Sequence, residues 1–188
     1  LSRKSLLEQT LSRVKNLSSP DRTLIVTGKA HLDLCLEQVK HAAETILVEP
    51  VSRNTAPAIA LAAWKLLQKD PNSTMVILPS DHYIQNIRSF EHTLLEAVEL
   101  AAKNLFVVIG ITPSYPATGF GYIELGTQIY LKESSFKKNS QEEDTHNPAY
   151  LVRSFREKPN LAAAEQFIRT GKYLWNAGMF VWKTKVFW

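Results

Sequence analysis

A single cysteine, Cys35, stands among the 188 residues, so neither a disulfide framework nor a cysteine-based metal site can be built. Such sparing use suits a reducing compartment, and a cytoplasmic protein with a buried, inert thiol is expected. No apolar run approaches the ~20 residues that cross a bilayer, and Leu1 to Thr10 lacks a signal-peptide layout, so no membrane partner is expected. An excess of one charge sign is also missing: 22 Lys and Arg face 18 Asp and Glu, spread along the chain. With no basic stripe and no recognisable module, nucleic acid is set aside as a partner. The small positive balance is compatible with an anionic ligand. The five histidines show no paired ligand spacing, and there is neither a nucleophile elbow nor a P-loop, which argues against zinc, hydrolase and ATPase chemistry.

What is present is an alternation of helical and strand patterns long enough for one domain, which buries roughly two-thirds of its unfolded surface. Leu6, Leu7, Thr10, Leu11, Val14 and Leu17 form an apolar stripe at helical spacing, followed by a buried strand over Thr23 to Thr27. Ala30 to Ala43 reads as a helix, Thr45 to Val48 as a strand and Thr55 to Gln68 as an alanine-rich helix. Met75 to Leu78, a helix from Ser89 to Lys103 and a strand from Leu105 to Ile111 complete the series. This predicts an α/β fold, a Rossmann-like doubly wound mixed sheet with helices on both faces. Residues 1–111 would form the first half. From 112 to 188 short strands take over (Gly121 to Leu125, Tyr150 to Phe155, Gly178 to Trp182, with a helix over Leu161 to Arg169), predicting the wall of a cleft. The polar stretch of about 127–148 predicts a surface loop. The absence of an initial Met and the apolar ending Val186-Phe187-Trp188 suggest a piece of a longer protein.

Five segments could carry chemistry, and each also has a plain structural reading. Met75 to Leu78 runs into Pro79-Ser80-Asp81, a carboxylate at the carboxyl end of a strand, where open α/β sheets bind ligands and a hard cation could meet phosphate; it could equally cap a turn. Arg53-Asn54-Thr55-Ala56-Pro57 opens a helix, Asn54 or Thr55 capping it, and free N–H groups beside Arg53 suit an anion or a polar base. The alternative is a well-capped core helix. Gly119 and Gly121 flank Phe120 and allow a sharp turn or close approach to a ligand, while Glu157-Lys158-Pro159 sets a carboxylate and an ammonium at a strand end. A solvated turn would look the same. Asn176, between Trp175 and Gly178, offers the donor and acceptor that recognition of a polyol needs, or simply starts a strand.

Taken in order, Arg53-Asn54-Thr55-Ala56-Pro57-Ala58-Ile59-Ala60, Leu78-Pro79-Ser80-Asp81-His82, Thr118-Gly119-Phe120-Gly121-Tyr122-Ile123-Glu124, Glu157-Lys158-Pro159 and Trp175-Asn176-Ala177-Gly178-Met179-Phe180 resemble the mannose-1-phosphate guanylyltransferases, or GDP-mannose pyrophosphorylases. The resemblance spans nearly the whole chain and is to the long bacterial branch, whose members often carry a C-terminal phosphomannose isomerase domain. That domain is absent from these residues.

The resemblance implies GMP transfer from GTP to mannose 1-phosphate, with Mg²⁺ or another divalent cation on Asp81. It implies that 1–111 is the nucleotide-binding half, with a pocket lined by Arg3, Arg53, Asn54, Thr55, Pro79 and Ser80, and that 112–188 is the sugar-phosphate-binding half, with sugar contacts from Gly119, Tyr122, Glu157, Asn176 and Gly178. Lys158 would meet the sugar phosphate, so Asp81 and Lys158 are the catalytic pair. Homo-oligomerisation is left open. Departures from the family are also visible. Leu1-Ser2-Arg3 resembles the end of a Gly-rich loop whose Gly-Gly-x-Gly-x-Arg portion is missing, and a discontinuity is expected between Arg3 and Lys4, one that removes a catalytic lysine. A second metal carboxylate is also missing, so the chain as written is expected to be inactive alone. Three alternatives to the main reading are another sugar-1-phosphate nucleotidyltransferase, a bifunctional protein with mannose-6-phosphate isomerase activity, and an inactive nucleotide-sugar-binding regulator.

Overall fold

A computed structural model describes residues 4–39, 45–130 and 147–187. The chain divides into two compact units, Leu1–Phe106 with Val181–Trp188, and Val107–Phe180. The expected halves met at 111/112; the structure instead counts residues 107–111 with the second unit and returns the last eight to the first.

In the first unit, α1 (Leu6–Val14) starts at a capping box: the Ser5 hydroxyl accepts from the Glu8 N–H, and the Glu8 carboxylate from the Ser5 N–H at 2.7 Å. β1 (Leu24–Gly28) and β2 (Thr45–Glu49) pair in parallel from Leu24↔Thr45 to Gly28↔Glu49. Between them lies α2 (Leu32–Val39), entered through a 3₁₀ turn at Lys29–His31; the remainder of the helix expected to Ala43 lies outside the described residues. Cys35 is half-buried with its Sγ 3.5 Å from the Thr27 hydroxyl, which corrects the expectation of a fully buried thiol.

α3 (Thr55–Lys69) leads to β3 (Thr74–Ile77), and α4 (Ile87–Ala102) begins two residues before the expected Ser89 because Asn86 caps it through the Ser89 N–H. α4 buries Leu94, Ala97, Leu100 and Ala101 along one stripe. The unit is closed by 181–187: Trp182, 1% exposed, stacks on Phe106 at 3.8 Å and on Phe187 at 5.7 Å, and the Thr184 N–H in α6 (Thr184–Phe187) donates to the Ser73 carbonyl.

The second unit holds β4 (Val107–Ile111), β5 (Tyr122–Ile129), β6 (Ala149–Arg156), α5 (Leu161–Thr170) and most of β7 (Tyr173–Lys183). β5 runs antiparallel to β6 and to β7, pairing Tyr122 with both Arg156 and Trp175. The longer ladder has the order β3-β7-β5-β6 with β4 also on β7. The parallel β1-β2 pair forms a separate two-stranded sheet, so the expected α/β class holds, while the parallel pairing of β1 with β2 and the antiparallel pairing around β5 lie in two sheets and not in one.

Two expectations are corrected here. β5 continues to Ile129 instead of stopping at Leu125, so the predicted loop starts later, and the rest of that loop, 131–146, lies outside the described residues. β7 starts at Tyr173, so Trp175-Asn176-Ala177 lies inside a strand and not in a turn ahead of one. Trp175, Ala177, Met179 and Val181 are the buried members of an alternation that the central Asn and Gly disguise.

Candidate functional site

Pro79 cannot donate to a ladder, and β3 ends just before it; Ser80 and Asp81 then form an exposed turn. Among the described residues no basic side chain pairs with Asp81 and no group of three His, Cys, Asp or Glu could cage a metal. Mg²⁺ commonly uses only one or two carboxylates and takes its other oxygens from phosphates and water, so a lone exposed carboxylate fits an ion that arrives with a nucleotide. The Ser80 carbonyl lies 3.5 Å from the Thr10 hydroxyl.

Arg53, Asn54 and Thr55 are all exposed where β2 gives way to α3. Asn54 occupies the cap position but makes no side-chain cap bond, which corrects the expectation that it or Thr55 caps the helix. Its backbone has φ 65° and ψ −168°, a region that is essentially glycine's, costing on the order of 1–3 kcal/mol. Pro57, third in the helix, has no N–H to satisfy, so the N–H groups of Thr55 and Ala56 are the ones left without an intrahelical acceptor. Asn54→Gly is expected to stabilise the protein by about 1 kcal/mol, strain relief outweighing glycine's entropy. Urea unfolding measures this; loss of stability would show that the strain reading is wrong.

In the second unit Gly119 is exposed, and a side chain added there would meet nothing within 4 Å. Gly121 is different. A Cβ would fall 2.6 Å from the Phe155 ring and 3.0 Å from a Glu157 oxygen, so this glycine lets the ring and the carboxylate close over the backbone. Phe155, not among the expected site residues, therefore joins the site; its signal was its place near the end of β6, two residues before Glu157.

Tyr122 is 0% exposed, and its hydroxyl donates to the Ala117 carbonyl at 2.9 Å. Packed with Ala164, Trp175, Phe167 and Tyr173, it is a core residue, correcting its assignment as a sugar contact. Tyr122→Phe is expected to cost about 1 kcal/mol in urea unfolding by orphaning that carbonyl, with the KM for sugar phosphate unchanged. A raised KM at full stability would restore the sugar-contact role.

Glu157 and Lys158 are both more than half exposed and pair at 3.6 Å. Lys158 has φ 40°, although a residue before proline is normally driven to extended backbone. Asn54, Asn104 and Lys158 are the non-glycine residues with positive φ among those described, so strain falls on two of the expected site residues. Phe155, Arg156, Glu157, Asn160, Phe167 and Tyr173 line an open cavity of about 580 Å³. The Asn176 side chain accepts from the Gly178 N–H at 3.0 Å and its own N–H donates to the Gly121 carbonyl, while Gly178 takes φ 67°. The Ser154 hydroxyl, donating at 2.6 Å, holds the Glu124 carboxyl below the usual carboxylate range, with Arg153 and Arg156 adding to the effect. Arg3 lies outside the described residues.

A family model described as nucleotidyl transferase matches residues 1–187. A mannose-1-phosphate guanylyltransferase of Salmonella montevideo is 37% identical over 95% of this chain and 36% of its own length. The alginate biosynthesis protein AlgA of Pseudomonas aeruginosa is 36% identical over 95% of this chain and 35% of its own. The chain thus spans little more than a third of these curated relatives. A crystal structure described as mannose-6-phosphate isomerase from Helicobacter pylori superposes with a TM-score of 0.79 at 33% identity, covering 100% of this chain and 64% of that one. One described as mannose-1-phosphate geranyltransferase from Thermus thermophilus gives 0.79 at 30% identity, over 97% of this chain and 48% of that one.

Proposed function

We propose that this chain, which belongs to the nucleotidyl transferase family, forms the part of a mannose-1-phosphate guanylyltransferase that transfers GMP from GTP to mannose 1-phosphate. The observation that carries this reading is the exposed Asp81 beyond β3 together with the exposed, strained Lys158 beyond β6, in a chain whose relatives bear that activity in their names. An oxygen of the mannose 1-phosphate attacks the α-phosphorus of GTP, the bond from that phosphorus to the bridging oxygen breaks, and pyrophosphate leaves with the electron pair. No general base is needed, because a phosphate monoester with a second pKa near ~6 is already largely a dianion at neutral pH.

The chemical difficulty is mutual repulsion of two polyanions, which positioning and positive charge overcome. Arg53 and the start of α3 receive the nucleotide with Pro79 and Ser80, while Lys158 receives the sugar phosphate. Gly119, Glu157, Asn176 and Gly178 form the sugar side. When bound, a divalent cation on Asp81 would supply further neutralisation of phosphate charge. The protein works in the cytoplasm, a reading supported by its single cysteine.

Assay of pyrophosphate release with each nucleoside triphosphate against mannose 1-phosphate and glucose 1-phosphate tests the substrate pair. The GTP and mannose pair is expected to be fastest, and preference for another pair would replace the assignment. The likeness to a protein described as mannose-6-phosphate isomerase favours a second activity in the whole protein. That activity would reside outside these residues, and isomerisation of mannose 6-phosphate by residues 1–188 alone would contradict that placement.

A further inference from the structure

Arg13, on α1, is only 5% exposed, yet among the described residues no carboxylate pairs with it and its Nε–H has no acceptor. Burial lowers its pKa, but a guanidinium stays protonated, so the helix carries an uncompensated buried cation where an apolar side chain would be cheaper. Its contacts say what the charge does. The Nη2 group donates to the Thr10 hydroxyl at 2.6 Å, a short charge-assisted bond. With its oxygen engaged as an acceptor, that hydroxyl has one hydrogen to give, and the Ser80 carbonyl lies 3.5 Å away, a long contact for an O–H···O bond. The guanidinium also lies 5.9 Å from the centroid of the Phe90 ring, in the first turn of α4.

Arg13 therefore touches the chain on both sides of Asp81, through Thr10 to the residue before it and directly to the helix after it. Because the peptide unit is planar, restraining the Ser80 carbonyl restrains the direction in which the Asp81 Cα leaves. We infer that Thr10 and Arg13 are positioning residues that hold the Ser80–Asp81 peptide, and with it the Asp81 carboxylate, in the orientation that receives a nucleotide-bound divalent cation. This rests on the function proposed above.

The test uses the full-length protein and two readouts: binding of Mn²⁺·GTP followed by electron paramagnetic resonance, and amide hydrogen exchange of residues 80–86 in metal-free protein. Thr10→Val is expected to weaken Mn²⁺·GTP binding about fivefold and to speed exchange in that segment by a similar factor, as loss of one hydrogen bond would. Thr10→Ser, which keeps the hydroxyl, restores both. Arg13→Lys keeps the buried charge without the planar donor fork, carries the same expectation, and replaces Thr10→Val should that variant not fold. Either readout unchanged in a folded variant overturns the inference and leaves the proposed function intact. Wild-type protein that does not bind Mn²⁺·GTP overturns both.

Discussion

Asp81→Ala in the full-length protein is expected to lower GDP-mannose formation by about a thousandfold, the scale of losing a group that anchors phosphate charge in the transition state. The side chain is exposed in a turn after β3 and has no basic partner among the described residues, so its removal deletes no ion pair and opens no cavity. The unfolding midpoint should therefore stay at its wild-type value, separating lost chemistry from lost structure. Asp81→Asn, which keeps the shape but not the charge, should fall nearly as far. The measurement is a coupled pyrophosphate assay over a range of Mg²⁺ concentrations; near-normal turnover would remove Asp81 from the site.

Lys158→Ala is expected to reduce kcat/KM for mannose 1-phosphate by roughly fiftyfold, as loss of a charge-assisted bond to phosphate does, while the KM for GTP changes by about twofold at most. The pair with Glu157 is too exposed, at 64% and 61%, for its loss to affect stability appreciably. Alanine inherits the same positive φ, so the strain at this position is not what the substitution tests. Lys158→Arg should recover only part of the loss, because a planar fork does not reproduce a compact ammonium on a flexible stem. Steady-state kinetics with each substrate varied in turn give the answer. Equal losses toward both substrates would make Lys158 a general electrostatic contributor and not the sugar-phosphate contact.

The βα alternation up to Ile111 could be read from apolar spacing because burial on one face imposes its own period on a helix or a strand. Element ends were less legible where side chains set them: Asn86 starts α4 early by serving the Ser89 N–H, and a 3₁₀ turn delays α2 to Leu32. The last strand hid behind Asn176-Ala177-Gly178, which spells a turn. In the structure the Asn176 amide oxygen takes the Gly178 N–H and the alternation of Trp175, Ala177 and Met179 persists through it. Tyr122 shows the opposite failure. The resemblance implied a sugar contact for it, but its ring points into the core of the second unit. Least legible was the link from Arg13 through Thr10 to Ser80, because it joins positions 70 residues apart and leaves no local pattern.

The central claim is that these residues belong to an enzyme that joins mannose 1-phosphate to GMP with loss of pyrophosphate. Incubating the full-length protein with GTP, Mg²⁺ and mannose 1-phosphate radiolabelled in its phosphate tests it most directly, with the products separated by anion-exchange chromatography. The predicted result is label in GDP-mannose and unlabelled pyrophosphate in equal amount. Label that stays in mannose 1-phosphate, or emerges as inorganic phosphate, would contradict the claim.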